Sequence, residues 1–276
     1  MITKFRTEAF FMDASDGQRF CLFFSPEVPK LNLGAILFLH PFAEEMNKSR
    51  KMVALQARSF AELGYSVLLI DLFGCGDSAA DFNDARWEIW KDDAELACRW
   101  LAQHGYESIT LWGLRLGALL ALDVSRATPA HIERLILWQP LIDGNQFLSQ
   151  FWRLRLASDM LNATPTSDAG TLSQMIEQNQ SVEIAGYLLH PQLAASIVSL
   201  DAQLFDGLPK NIHWFECMSS DAAQIAPARK KIVDAWQMRG HDVRLQLIEC
   251  SAFWNSQETS INRQLIEATS SILETR

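Results

Sequence analysis

The sequence predicts an α/β fold built on a mostly parallel, doubly wound sheet, and three observations carry that prediction. Short, fully apolar runs recur along the chain, as expected of strands buried on both faces. Stretches of helical length and pattern separate them, so strand and helix alternate. One strand-to-helix turn carries glycines two residues on either side of a central residue, Gly113-Leu114-Arg115-Leu116-Gly117.

The chain opens with alternating character over residues 8–12, a turn at Asp16-Gly17 and resumed alternation over 18–24, which predicts a β-hairpin. Four buried strands are predicted at 34–39 (GAILFL), 65–70 (YSVLLI), 109–112 (ITLW) and 135–138 (LILW), and helices at 44–63, 87–102 and 118–127. About sixty residues then separate the fourth run from the next one at 212–217. That spacing predicts an insertion over 141–206 that caps a core formed by 1–140 and 207–276. Within it, Phe147, Phe151, Leu154 and Met160 share one face of a helix over 146–161, a second helix is expected at 191–205, and TPTSDAG at 164–170 reads as a loop. A helix at 227–239, a strand at 243–250 and a helix at about 257–273 complete the core.

Composition narrows the function. With 276 residues, 49% hydrophobic and 21% charged, the chain is an ordinary globular one. A net charge of -9 disfavours nucleic acid, whose binders need a clustered cationic excess. Five cysteines without Cys-x-x-Cys spacing suggest neither a disulfide framework nor a zinc site. No stretch predicts a signal peptide or a spanning helix, so a cytoplasmic protein without membrane insertion is expected. No cofactor and no metal are expected; His40 and Glu44 do not form a His-Glu-x-x-His pattern.

The glycine-flanked turn has the nucleophile-elbow pattern Gly-x-Ser-x-Gly, which needs small neighbours around a strained central residue. His40-Pro41 follows its strand as an oxyanion loop would, and residues 71–78 (DLFGCGDS) fit Asp-x-x-Gly-x-Gly-x-Ser. In that order the three motifs resemble the α/β-hydrolase fold over nearly the whole chain, with the insertion where that fold carries its cap. The elbow's central position holds Arg115, whose protonated guanidinium has no lone pair for attack and acts as an anion binder or charge stabiliser. Asp221 stands where that fold's catalytic acid belongs, whereas Ser251-Ala252-Phe253-Trp254-Asn255 occupies the place of its histidine. The ordinary serine mechanism therefore lacks two of its three members.

A narrower resemblance rests on residues 40–58 (HPFAEEMNKSRKMVALQAR), 71–82 (DLFGCGDSAADF), 111–122 (LWGLRLGALLAL) and 137–161 (LWQPLIDGNQFLSQFWRLRLASDML). Together these are similar to the exosortase A system-associated hydrolase 2 family, found beside bacterial exosortase and exopolysaccharide loci. The resemblance implies a thioesterase-like hydrolase, an elbow arginine as a family feature, and proteins of the exosortase or exopolysaccharide system as partners.

Two functions stand side by side. One is an atypical acyl-ester or thioester hydrolase in which Glu45 or Asp221 activates water and Arg115 polarises the substrate. The other is a catalytically silent protein whose pocket holds a small anionic or acyl ligand beside the elbow helix N-terminus. Arg115, His40, Glu44, Cys75, Leu116 and Trp254 are the candidate ligand-binding residues, with Trp152 a further candidate for the pocket wall. Each has a structural alternative. Arg115 reads equally as a buried arginine neutralised by carboxylates, His40 as a support under its loop, Glu44 and Glu45 as first-turn helix residues, Cys75 as a packed thiol, and Asp221 as a cap.

Overall fold

The computed structural model describes residues 5–27, 33–127, 132–161, 171–218, 224–256 and 260–274, with 154–161 as backbone alone. The hairpin is β1 (Phe5–Ala14) and β2 (Gly17–Pro26), paired antiparallel from Ala14↔Gly17 outward. Then come β3 (Ala35–Leu39), α1 (Glu44–Glu62), β4 (Ser66–Ile70), α2 (Trp87–Gln103), β5 (Ile109–Leu114), α3 (Leu116–Ala127) and β6 (Ile132–Trp138). After the insertion follow β9 (Asn211–Met218), α7 (Pro227–Met238), β10 (Asp242–Glu249) and α8 (Arg263–Glu274). The eight strands form one sheet in the order β1-β2-β4-β3-β5-β6-β9-β10, with β1 and β2 antiparallel and the others parallel.

The apolar runs have a direct physical cause. In β3, Ile36 and Phe38 pack on one face with α1 and α8, while Ala35, Leu37 and Leu39 pack on the other with α2 and α3. Neither face meets water, so every position is apolar. The face under α1 and α8 is aromatic: Trp112 lies 4.4 Å from Phe38, 5.5 Å from Phe60 and 4.8 Å from Trp138 between ring centroids. Trp138 donates its indole N–H to Thr269 of α8 at 2.9 Å.

Strand order reverses between β3 and β5. In open α/β sheets the crevice at the carboxyl ends of two such strands is where ligands bind. The insertion covers this end of the sheet with α4 (Gly144–Leu161), α5 (Leu172–Glu177), a hairpin of β7 (Val182–Ile184) and β8 (Tyr187–Leu189), and α6 (Pro191–Val198). Its stem is closed by main-chain hydrogen bonds, Gly144 N–H to Leu200 O and Ala202 N–H to Ile142 O, both 2.9 Å.

Two predicted helix boundaries differ from the structure by more than a turn. The helix expected over 191–205 ends at Val198, because the chain must turn there for Asp201 to bridge Asp143 at the stem. The last helix starts at Arg263, where Asn262 Oδ1 accepts the Leu265 N–H at 2.7 Å and caps it. The α5 helix and the β7–β8 hairpin were not expected. The hairpin strands have three residues each, and Ala185-Gly186, both at positive φ, make the tight turn. The loop expected at 164–170 lies outside the described residues.

His213 of β9 is buried, and its Nδ1 has no hydrogen-bond partner among the described residues. Burial, with the Arg134 and Arg244 guanidiniums adding to it, pushes His213 from 6.5 down to about 4. The unfolded chain therefore takes up this proton first. The stability it contributes is present above about pH 6.5 and is lost as pH falls towards 4, on the order of 3 kcal/mol in total. Denaturant unfolding across that window is expected to show a shallower acid slope in His213→Phe than in the wild type. Buried His40, also lowered by burial, keeps part of the slope in both.

Candidate ligand site at the carboxyl end of the sheet

The elbow is built by two close approaches. A Cβ on Gly113 would overlap Gly117 O and Ala118, and one on Gly117 would overlap Leu39 O, so α3 rises directly off the ends of β5 and β3. Between them Arg115 takes φ 56°, the left-handed region that side chains rarely adopt. Its N–H donates to Trp138 O at 3.0 Å and its C=O accepts from Ala118 at 3.1 Å, which fixes the turn at both ends. Ala43 after β3 (φ 51°) and Gln139 after β6 (φ 42°) share this backbone strain. Three strained non-glycine residues at the ends of three adjacent strands mark the crevice as a candidate site.

Arg115 and Glu45 meet in that crevice. The Arg115 Nε–H donates to Glu45 Oε1 at 3.2 Å, with side-chain exposures of 15% and 19%. Among the described residues, Glu45 is the guanidinium's one hydrogen-bond partner, and the Trp254 ring lies under Cζ at 5.5 Å. Glu45 belongs to the first turn of α1, which follows β3 after four residues and has Ala43, without a capping side chain, at its N-cap. Glu45 Oε2 is buried and has no hydrogen-bond partner among the described residues. Burial pushes the Glu45 carboxyl upward despite the opposing pull of Arg115, with Lys48 adding a smaller downward pull.

These groups open on a cavity of about 420 Å³ with aromatic walls: Phe42 from the loop after β3, Phe147 and Phe151 from α4, Tyr187 from β8, and Trp254. Phe42 stands edge-on to Phe147 at 5.5 Å and to Phe151 at 5.2 Å. Lys48 and Glu44 sit at its rim, and Glu44 Oε2 accepts the Tyr187 hydroxyl at 3.0 Å. The arrangement can take a ligand with an apolar or aromatic body and an anionic end: aromatic faces supply the contact area and a guanidinium supplies the charge.

The structure thus brings Arg115, Glu45, Glu44 and Trp254 to one cavity. Leu116 opens α3 beside them, with its side chain in the core. His40 does not line the cavity. Its Nδ1 bonds Pro41 O at 2.8 Å and its Nε2 accepts the Leu72 N–H at 3.2 Å, so both nitrogens are used by main chain. Cys75 lines a second cavity next to this one, and burial together with Asp71 and Asp93 pushes its thiol up, away from the thiolate. Asp221 lies outside the described residues. Trp152 packs into the core and does not line the cavity. Sequence reasoning missed Tyr187, Phe42 and Lys48 as site residues, and read Phe147 and Phe151 only as one face of a helix.

Behind the crevice, buried Glu216 of β9 accepts from Trp214 Nε1 and Gln139 Nε2, both at 2.9 Å, and pairs with Arg229 Nε at 3.1 Å. This carboxylate is fully engaged. Among the described residues no group of His, Cys, Asp and Glu could hold a metal ion, and no helix is long and apolar enough to cross a membrane.

Comparison with known proteins agrees with this geometry. The model of the family described as serine aminopeptidase, S33, matches residues 32–202, more than half of the chain. No curated protein matches the sequence. Among solved structures, Est1E from Butyrivibrio proteoclasticus, determined with ferulic acid bound, superposes with a TM-score of 0.67 at 12% identity, over 96% of each chain. The thioesterase domain from the curacin biosynthetic pathway gives 0.57 at 15% identity, over 98% of this chain and 100% of that one. Mouse α/β hydrolase domain-containing protein 10 gives 0.60 at 14% identity, over 97% and 98%. At such identities the likeness shows the α/β-hydrolase fold.

The ion pair predicts an asymmetric response to substitution. Burial outweighs the pull of Arg115 on Glu45, so Glu45→Gln, which removes a buried charge and keeps the shape, is expected to change stability by less than about 1 kcal/mol. Arg115→Ala leaves the carboxylate uncompensated and is expected to cost roughly 2 kcal/mol, since both partners are partly exposed. Denaturant unfolding at neutral pH measures both; equal losses would contradict this account of the pair.

Proposed function

The chain belongs to the serine aminopeptidase S33 family, with an α/β-hydrolase fold, and from that premise we propose that it binds a carboxylate-bearing acyl or aryl ligand at the elbow without forming an acyl-enzyme. The observation that carries this reading is the state of Arg115. Its Nε is pinned by Glu45, its face rests on Trp254, and among the described residues its terminal nitrogens are uncommitted beside an aromatic-walled cavity. A guanidinium in this state offers a paired, charge-assisted fork to a carboxylate. At the elbow it takes the place of an attacking hydroxyl and supplies no nucleophile. Est1E, with ferulic acid bound, gives an aryl carboxylate as a natural first probe.

A second reading has its own observation in support. The Glu45 carboxyl, raised by burial, has the character of a general base nearer neutrality, so a water held against it could attack an ester or thioester carbonyl polarised by Arg115. The esterase and thioesterase neighbours fit that reaction class. Against it, Glu45 Oε2 is buried and closed to water in this state. Asp221 is the other base this reading admits.

The likeness of four stretches to the exosortase A system-associated hydrolase 2 family supports a cytoplasmic role beside exosortase and exopolysaccharide proteins, which we propose as the protein's context.

Calorimetric titration with octanoate and with ferulate tests the binding reading. Wild type is expected to bind at least one of them, and Arg115→Ala to bind it at least about tenfold more weakly, as the loss of hydrogen bonds to a charged group implies. Arg115→Lys, which keeps the charge without the fork, is expected to fall in between. Turnover of acyl thioesters or aryl esters that Glu45→Gln abolishes would replace this reading with the second.

A further inference from the structure

Two cavities lie side by side under the insertion, one of about 420 Å³ holding Arg115 and one of about 550 Å³ holding Cys75. Among the described residues Tyr187 is the one side chain that lines both. It reaches the crevice from β8, the first residue after the Ala185-Gly186 turn, and is held there at three points. Its hydroxyl donates to Glu44 Oε2 at 3.0 Å and accepts from Asn47 Nδ2 at 3.3 Å, and its ring stands edge-on to Phe82 at 5.1 Å. Glu44 and Asn47 belong to the first turn of α1 and Phe82 to the short turn after β4, so all three anchors are on the core. A half-buried ring from the insertion is thereby fixed where the linings of the two cavities meet.

We propose that Tyr187 is a specificity-determining residue that sets the length of acyl carboxylate the site accepts, and that the Cys75 chamber is the distal half of the same binding site. The inference rests on the carboxylate reading of Arg115. A carboxylate seated on Arg115 directs its chain along Phe42, Phe147 and Phe151 towards Tyr187. Chains that fit within the first chamber gain from each methylene removed from water, and longer ones meet the Tyr187 ring. Beyond the ring, Ala43, Met46, Phe82 and Cys75 offer apolar surface, with Arg50, Asn47 and Asp77 polar at the opening. The Cys75 thiol is a wall group in this proposal and takes no covalent part.

The test is a titration of butyrate, octanoate, dodecanoate and tetradecanoate against wild type, Tyr187→Ala, Tyr187→Leu, Tyr187→Phe and Arg115→Ala. In wild type, affinity is expected to rise with chain length and then stop rising. In Tyr187→Ala the rise is expected to continue to longer chains, by roughly fourfold for each further buried methylene, with butyrate unchanged within about twofold. Tyr187→Phe keeps the ring and is expected to keep the wild-type cut-off. Tyr187→Leu, a smaller disturbance to the hairpin, is expected to shift the cut-off in the same direction as Ala and decides the matter if Tyr187→Ala does not fold. A cut-off unmoved in both Tyr187→Ala and Tyr187→Leu, with binding still dependent on Arg115, overturns the proposal alone. Absence of carboxylate binding in wild type, or binding indifferent to Arg115→Ala, overturns the functional reading on which it rests.

Discussion

The left-handed backbone of Arg115 is the constraint on which the crevice depends. A non-glycine residue at φ 56° carries a cost on the order of 1–3 kcal/mol, which persists only when its surroundings over-determine it. Here they do. Gly113 and Gly117 let α3 seat against β5 and β3 with no room for a Cβ, and the Arg115 main chain is tied to Trp138 on β6. The turn can therefore project its side chain only into the space beyond the strand ends. In a serine hydrolase the same geometry presents a hydroxyl. In this chain it presents a long cation, and the rest of the crevice is arranged around that charge.

The arrangement is one of divided roles. The Glu45 carboxylate reaches Arg115 from the first turn of α1 and neutralises part of its charge, leaving one oxygen buried and without a partner among the described residues. Trp254, from the loop after β10, covers the guanidinium where a histidine would stand in a triad. Glu216 is a third acid close by, but Arg229, Gln139 and Trp214 satisfy it, so it secures the ends of β6 and β9 and leaves Arg115 alone. The positive side of the balance is completed by Lys48 at the rim. An aromatic enclosure around a partly neutralised guanidinium favours an anion that brings apolar surface with it over a small hydrated one.

Much of this was legible in the sequence, for physical reasons that vary by residue. The central strands announced themselves because Ile36, Phe38 and Leu37 are buried on opposite faces and every position must be apolar. Arg115 was legible because the two glycines are required by close backbone approach, which fixes the position whatever residue stands there. Trp254 and Glu45 were legible by their places after β10 and β3. Tyr187 was not: a three-residue strand carries too little alternation to be seen, and its turn uses Ala185 at positive φ where Gly or Asn would have been the signal. Phe147 and Phe151 showed their shared helical face, but a helix pattern cannot say whether that face meets a core or a cavity. His40 was conspicuous by position, yet its ring nitrogens serve Pro41 and Leu72, a use of main-chain partners that no sequence pattern exposes.

Arginine, unlike lysine, can meet all the demands placed on position 115 at once. Its Nε points back along the stem and can satisfy Glu45, its planar face can lie on the Trp254 ring, and its terminal edge still carries donors for a third partner. A lysine ammonium has one point of charge, and pairing it with Glu45 would turn it away from the cavity. The partial neutralisation by Glu45 then has a consequence for what the cavity can hold. With one carboxylate already in place, a second anion must be stabilised mainly by the fork and by the burial of its own apolar surface. That requirement suits the walls provided by Phe42, Phe147 and Phe151, and it makes the extent of the apolar enclosure, which Tyr187 closes, the feature that discriminates between ligands sharing the same anionic end.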